Sequence, residues 1–202
     1  MNILACGALA QELVALKRLN HWDKLEIRCL PAHYHQTPQR IPGAVREAIE
    51  SIRGENSEPI LVAYGDCGTA GKLDEILAEA GVERLPGAHC YEFFTGSEAF
   101  ERMQEEEVGT FYLTDFLVRH FDTYVLRALG LDRKPELLEI YFGNYRRLMY
   151  IAQTRSESLL KQAKAHSQTL GLEFACEYTG YGELGQAMHA GFAVRVADTC
   201  PA

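Results

Sequence analysis

Residues 59–68 read PILVAYGDCG and carry the strongest strand signal in the chain. A continuous apolar run bounded by a proline and a glycine is typical of a strand that is buried on both faces. The glycine-rich turn at its end leads into residues 71–80, which have a helical pattern. Residues 2–6, NILAC, likewise lead into residues 8–19, whose leucines have helical spacing. Both stretches therefore predict a strand that passes directly into a helix.

The same alternation continues along most of the chain. Strands are predicted at residues 2–6, 25–30, 59–64, 82–86, 109–113, 146–152 and 172–178. Helices are predicted at residues 8–19, 42–54, 71–80, 90–105, 114–129, 135–144 and 156–170, whereas the segment after residue 183 is ambiguous. This order favours an α/β fold with a mostly parallel sheet and helices on both faces, a Rossmann-like arrangement. We expect a single domain over residues 1–202. An internal division into two pseudo-related lobes, about 1–108 and 109–202, is an open alternative.

Composition and charge argue against several classes of protein. The chain has 202 residues and a formal net charge of −8, which does not suit a protein that tracks nucleic-acid phosphates with a basic face. The apolar runs are too short to span a membrane. The N-terminal residues lack the basic region of a signal peptide, so we expect a cytoplasmic protein whose cysteines stay reduced.

The chain contains six cysteines, and three of them follow predicted strands. Cys6 ends the first strand, Cys67 follows the third, and Cys90 follows the fourth. Because ligands bind beyond the carboxyl ends of parallel strands, we expect these three thiols to meet at one edge of one sheet. The other three are expected to be structural or incidental: Cys29, Cys176 and Cys200.

Three thiolates leave one position open on a four-coordinate metal or on an iron–sulfur cluster. The flanking glycines allow close approach of the backbone to a ligand and favour a bulky cluster, 4Fe-4S, over zinc. Zinc is the alternative. A third possibility is a metal-free thiol catalyst that uses Cys67 or Cys90 as its nucleophile. Simple packing of three small apolar side chains is the fourth.

Four residues beside these cysteines are further candidates. Asp66 could act as an acid or base, or could cap the following helix. His89 could donate a proton or bind the metal. Tyr64 and Tyr91 could line a substrate pocket, or could belong to the core. Two histidines on a loop, His33 and His35, could also bind a metal. This indication is weaker, because no third ligand stands near them in the sequence.

The second half of the chain offers candidates for substrate binding. Thr114 and Asp115 follow a predicted strand, and we expect them at the same sheet edge as the cysteines. Thr114 is also a good helix N-cap. Arg146 and Arg147 could clamp a carboxylate or phosphate, although a solvated surface pair is an equal alternative.

Several short motifs together resemble one protein family, domain of unknown function 1638. The motifs are ACGA (5–8), YGDCG (64–68), HCY (89–91), Gly96, TFYLTDF (110–116) and YFGNY (141–145). The resemblance covers residues 3 to about 175 and includes Cys6, Cys67 and Cys90, but none of the other cysteines. Because such proteins are typically encoded beside genes for corrinoid-dependent methyl transfer and folate one-carbon metabolism, the resemblance implies a corrinoid or folate methyltransferase system as a partner. The three-thiolate arrangement also looks like the open cluster site of quinolinate synthase.

The leading hypothesis is therefore a cytoplasmic metalloenzyme, a metal-dependent lyase or transferase. Cys6, Cys67 and Cys90 would hold an iron–sulfur cluster or zinc, with an open site for a small-molecule substrate. Two rivals are retained. One is a non-catalytic partner that delivers or holds a cofactor for a corrinoid methyltransferase system, and the other is a metal-free thiol transferase.

Overall fold

A computed structural model describes residues 1–197, and the side chains of residues 1–189. Cys200 lies outside the described residues. The chain forms two compact units. Unit 1 contains Met1–Phe93 and the C-terminal part from Gly182, and unit 2 contains Phe94–Tyr181.

Within residues 1–197, all strands are parallel and form two separate sheets. The strands are β1 (Asn2–Cys6), β2 (Glu26–Leu30), β3 (Ile60–Ala63), β4 (Glu83–Arg84), β5 (Thr110–Leu113), β6 (Arg147–Ala152) and β7 (Glu173–Tyr178). Unit 1 contains the four-stranded sheet, in the order β2-β1-β3-β4, and unit 2 contains the three-stranded sheet, β5-β6-β7. The pairs are all in parallel register.

Helices connect the strands throughout the described residues. They are α1 (Ala10–Leu19), α2 (Ile41–Glu55), α3 (Lys72–Ala80), α4 (Glu92–Thr95), α5 (Ser97–Glu106), α6 (Asp115–Arg119), α7 (Leu137–Phe142), α8 (Glu157–Leu170) and α9 (Gly182–Ala197). The predicted α/β class with parallel strands is confirmed. The ambiguous segment after residue 183 is helical as far as Ala197. No helix within residues 1–197 combines the length and apolarity needed to cross a membrane.

The core of unit 1 lies between its sheet and two amphipathic helices. Helix α2 places Ile41, Val45, Ile49 and Ile52 on one buried face, at the spacing expected of a surface helix. These side chains pack against strand residues and against α3, and Cys6 and Cys67 pack at the border of the same cluster. The apolar pattern that forms the core therefore also positions two of the candidate thiols.

Unit 2 has a core of its own, which includes Leu113, Val118, Phe121 and Leu148. The helix predicted at 114–129 is interrupted. Helix α6 ends at Arg119 and is followed by a π-helical segment, Asp122–Arg127. Such segments are rare and cannot be distinguished from a regular helix by apolar spacing.

Candidate functional site

Three cysteines gather at the carboxyl edge of the four-stranded sheet. Cys6 is the last residue of β1, Cys67 lies in the loop after β3, and Cys90 lies in the loop after β4. Because β1, β3 and β4 are adjacent and parallel, these positions leave the sheet at the same edge. The three thiols lie close enough to interact in every pair. Besides burial, a negative charge on Cys6 would raise the pKa of Cys67, and a negative charge on either would raise the pKa of Cys90.

Burial raises the pKa of all three thiols and so favours their protonated form. Each residue is partly exposed, yet desolvation is the largest cause that raises the pKa of Cys6, Cys67 and Cys90. The pKa of Cys67 rises to about 11. A metal-free nucleophile needs the opposite shift, because the thiolate is the reactive form. A bound metal, in contrast, deprotonates a coordinating thiol directly.

Backbone amides hydrogen-bond to these sulfurs and partly offset the effect of burial. The amide of Ala8 lowers the pKa of Cys6. The amides of Gly65 and Cys90 lower the pKa of Cys67. Hydrogen bonds of this kind stabilise negative charge on sulfur and adjust the properties of sulfur-ligated centres.

The loop that carries Cys67 has an unusual backbone. Cys67 has φ +51° and Ala70 has φ +55°, the left-handed region that residues with a side chain rarely adopt. Conformations of this type persist only where surrounding interactions hold them, and they are concentrated at functional sites.

Asp66 supplies the interactions that hold this loop. Its carboxylate accepts hydrogen bonds from the Thr69 hydroxyl at 2.7 Å, the Gly71 amide at 2.9 Å and the Ala70 amide at 3.2 Å. These donors, Thr69 first, lower the pKa of Asp66. A carboxylate that is already hydrogen-bonded and more acidic than usual is a poor proton donor or acceptor, so the structure favours the capping role over acid–base chemistry.

Two glycines allow the loops of the site to pack closely. A Cβ atom at Gly65 would lie 3.1 Å from the carbonyl oxygen of Ala88, which also accepts a 2.9 Å hydrogen bond from the Cys67 amide. A Cβ atom at Gly7 would lie 2.9 Å from the carbonyl oxygen of Leu30. The glycines beside the cysteines therefore bring neighbouring loops together.

Tyr64 is buried at the base of the site. It is 2 % exposed and belongs to the core of unit 1, one of the two roles that the sequence predicts for it. Its hydroxyl makes no hydrogen bond of ordinary geometry within the described part of the chain. The Cys6 thiol interacts with it, and burial together with this thiol raises the pKa of Tyr64. Tyr91 is partly buried, with its ring 6.5 Å from that of His89.

Glu12 lies near Cys90, and His89, the residue before Cys90, lies near His35. His89 is exposed, and its charge lowers the pKa of His35, although burial of His35 is the larger cause. Glu12 of α1 is 4 % exposed, and its charge contributes to raising the pKa of Cys90. Sequence reasoning missed Glu12. The available signal was a charged residue at an apolar position of a helix, between the buried Leu9 and Leu13.

The expectation that Thr114 and Asp115 share the cysteine edge is wrong. Both follow β5, which belongs to the separate sheet of unit 2. Thr114 caps α6 and accepts a hydrogen bond from the Leu117 amide at 3.4 Å. Asp115 is fully buried, and its carboxylate accepts hydrogen bonds from the hydroxyls of Tyr150 at 2.6 Å and Thr154 at 2.5 Å. These contacts hold unit 2 together.

The two candidate arginines lie at the amino end of β6, also in unit 2. Arg147 donates to the Thr110 hydroxyl at 3.0 Å and to the Met103 carbonyl at 2.8 Å. It is therefore committed to internal contacts. Arg146 lines a cleft of about 510 Å³ together with Arg147, Gly171 and two acidic residues, Glu107 and Glu173. This mixture of charges does not form a clear anion site.

The donors of the cysteine site fit a sulfur-rich group. Thiolates select iron–sulfur clusters, zinc or Cu(I) over harder ions. Within residues 1–197, no three histidine, cysteine, aspartate or glutamate side chains are grouped closely enough to hold one metal ion. The interacting thiols, the amides directed at sulfur and the Tyr64 hydroxyl beside Cys6 suit a group with several sulfur acceptors.

Comparison with known families places the chain. A family model described as "Protein of unknown function (DUF1638)" matches residues 29–188. The chain belongs to the DUF1638 family. In this DUF1638 protein, Cys67 and Cys90 lie inside the matched segment and Cys6 lies before it. Searches of curated proteins and of solved structures found no significant match.

The remaining described cysteines are Cys29 and Cys176, and both are exposed. Cys29 lies on the edge strand β2. Partial burial raises the pKa of Cys29, and a negative charge on the nearby Cys6 would raise it further. Cys176 lies on β7 in unit 2.

A glycine motif that spans the turn after β7 and the first turn of α9 was also missed by the sequence predictions. Residues 180–185 read GYGELG, the spacing G-x-G-x-x-G of dinucleotide-binding turns. An isolated match is weak, because the complete motif requires a further strand of the same sheet after the helix. Within the described residues, no strand follows α9.

Proposed function

We propose that this DUF1638 protein binds an iron–sulfur cluster, 4Fe-4S, through Cys6, Cys67 and Cys90, and leaves one iron open to a small-molecule substrate. The observation that carries the proposal is the mutual interaction of three thiols at the ends of three adjacent parallel strands. Three thiolate ligands are one fewer than a closed cubane site requires.

Two observations support a cluster over the alternatives. Backbone amides hydrogen-bond to the sulfurs of Cys6 and Cys67, as is common around iron–sulfur clusters, which favours a cluster over zinc. The pKa values of the thiols are raised, which weighs against a metal-free thiol transferase. A cluster suits both observations, because its irons deprotonate the coordinating thiols and its inorganic sulfides accept hydrogen bonds from the protein.

The residues around the thiols have distinct parts in this proposal. Asp66 holds the Cys67 loop in place, and Gly65 allows it to pack against the loop that carries Cys90. His89, at the exposed border, is the remaining candidate for proton transfer. When bound, the open iron would act as a Lewis acid toward a thiol, a methyl carrier or a carboxylated compound. The reaction would be that of a lyase or transferase.

The setting of the reaction is part of the same proposal. We place the protein in the reducing cytosol, where exposed thiols such as Cys29 and Cys176 persist unpaired. The family resemblance supports a link to corrinoid or folate methyl metabolism, with a methyltransferase system as partner.

Anaerobic purification followed by metal analysis tests the cluster. The wild-type protein should contain iron and acid-labile sulfide in equal amounts and should absorb broadly in the visible region. Changing Cys6, Cys67 or Cys90 to serine should each remove most of the iron, since a cubane with two cysteine ligands is poorly held. Cys176→Ser, at an exposed position in unit 2, should leave the iron content unchanged.

Three results would contradict this proposal. The first is stoichiometric zinc without sulfide, which supports the single-ion alternative. The second is a metal-free protein whose three thiols are alkylated at the same rate as Cys176. The third is equal loss of iron in Cys176→Ser and in the three site variants.

A further inference from the structure

We propose that the Tyr64 hydroxyl donates a hydrogen bond to the Cys6 thiolate once Cys6 is a cluster ligand, and so raises the reduction potential of the cluster. This inference rests on the proposed function. Tyr64 would act as a positioning residue, because it would influence the cluster only through the ligand Cys6.

The register of the sheet places the two side chains together. Ala5 of β1 pairs with Ala63 of β3 in parallel alignment, so the next positions on each chain, Cys6 and Tyr64, are also neighbours. Paired residues of adjacent parallel strands point to the same face of a sheet. Both side chains accordingly contact the same core cluster, which includes Val62.

Packing alone does not explain why this residue carries a hydroxyl. Tyr64 is 2 % exposed, and a phenylalanine would fill nearly the same volume. Its hydroxyl has no hydrogen-bond partner of ordinary geometry in the described part of the chain. Its nearest partner is the Cys6 thiol, which is only a weak acceptor while it is protonated, so the buried hydroxyl is poorly satisfied. The Tyr64 hydroxyl is therefore better satisfied in a state of the protein in which a stronger hydrogen-bond acceptor lies beside it.

A ligated Cys6 provides that acceptor. A thiolate carries negative charge, and hydrogen bonds to charged acceptors are roughly twice as strong as those between neutral groups. Adding an electron to a cluster increases the charge on its sulfurs, so a donor to a ligand sulfur stabilises the reduced state. Loss of the donor should therefore shift the midpoint potential in the negative direction.

The test compares cluster-loaded wild-type protein with Tyr64→Phe in redox titrations monitored by electron paramagnetic resonance. We expect equal iron and sulfide content, a more negative midpoint potential, and a higher frequency of the iron–cysteine stretch in resonance Raman spectra. Tyr112→Phe, which removes a hydroxyl from a buried tyrosine in unit 2, should match the wild type in all three measurements. An unchanged potential and stretch in loaded Tyr64→Phe would overturn the inference.

A second variant covers the case in which Tyr64→Phe does not retain the cluster. Site-specific 3-fluorotyrosine at position 64 keeps the hydroxyl and makes it a stronger donor, so the potential should move in the positive direction. A potential equal to that of the wild type would count against the inference. These results differ from failure of the proposed function, in which the wild-type protein itself contains no iron or sulfide.

Discussion

At the scale of single residues, Cys67 combines a candidate ligand with a strained backbone. A non-glycine residue in the left-handed region costs on the order of 1–3 kcal/mol, and both Cys67 and Ala70 adopt it. Glycine at position 67 would relieve this strain but would remove the thiol. The conformation is explained if the thiol is required at this point, with Asp66 supplying the hydrogen bonds that hold the loop.

Replacement of Asp66 by alanine should therefore destabilise the protein by about 1–2 kcal/mol, the range for loss of a capping side chain. Because the folded-state pKa of Asp66 is lowered, its contribution is present above the ordinary carboxyl pKa of about 4 and is lost as pH falls through the lowered value. Urea unfolding of the metal-free protein at several pH values measures this difference. Wild-type and variant curves should converge in acid.

Asp23→Ala is the control, because Asp23 is an exposed aspartate of the same unit. It should change stability by less than about 0.5 kcal/mol. A loss of stability in Asp66→Ala that is equally large at every pH would contradict the assigned role of the carboxylate.

At the scale of elements, the site depends on how closely the loops after β3 and β4 approach each other. Gly65 faces the backbone of the second loop, where a Cβ atom would be 3.1 Å from the Ala88 carbonyl oxygen. Backbone atoms cannot move away as a flexible side chain can. The spacing between the Cys67 and Cys90 loops is therefore sensitive to one methyl group.

Gly65→Ala should lower the free energy of unfolding by about 1–3 kcal/mol, as expected for overpacking, and should reduce iron content. Gly43→Ala is the matched control, since Gly43 lies in α2 with nothing within 4 Å of its would-be Cβ atom. It should stabilise the helix by about 0.5–1 kcal/mol and leave the iron content unchanged. Denaturant midpoints and iron analysis distinguish the two. Equal iron content in both variants would show that loop spacing does not matter for binding.

At the scale of the whole molecule, unit 1 is built from the two ends of the chain. Helix α9, from the C-terminal part, contributes Leu184 and Met188, which are both fully buried. The His189 ring contacts the ring of Trp22 at 4.9 Å in an edge-to-face arrangement. The core of the cysteine-bearing unit thus depends on residues far from the thiols in sequence.

A chain that ends at Tyr181 should lose stable structure in unit 1 and keep it in unit 2. Removal of two buried side chains costs about 2–5 kcal/mol each, which is comparable with the total stability of a domain. Hydrogen exchange measured by mass spectrometry should show lost protection in β1 and β3 and retained protection in β5 and β6. Retained protection in β1 would contradict the contribution assigned to α9.

Much of the fold follows from local patterns. The strand predicted at 59–64 and the helix predicted at 42–54 correspond to Ile60–Ala63 and Ile41–Glu55, because their apolar residues have distinct patterns. The division into two sheets could not be predicted in this way, since local patterns do not state which strands pair. For this reason, the prediction that Thr114 and Asp115 lie at the same sheet edge as the cysteines was wrong.

The candidate site could be predicted in part. Strand ends identify Cys6 as a site residue, but the capping role of Asp66 depends on the course of the loop as far as Gly71. Likewise, the contact between Cys6 and Tyr64 depends on strand register. Burial of Glu12 depends on which helix face meets the sheet. These are properties of tertiary packing, and a single sequence contains little direct signal for them.

The discontinuous course of unit 1 has a consequence for biosynthesis. All three candidate ligands are synthesised before unit 2, but α9 is synthesised only after the whole of unit 2. Because domains generally fold as units during translation, completion of the cysteine-bearing unit waits until α9 has left the ribosome. During that interval its thiols are accessible to oxidants and to stray metal ions.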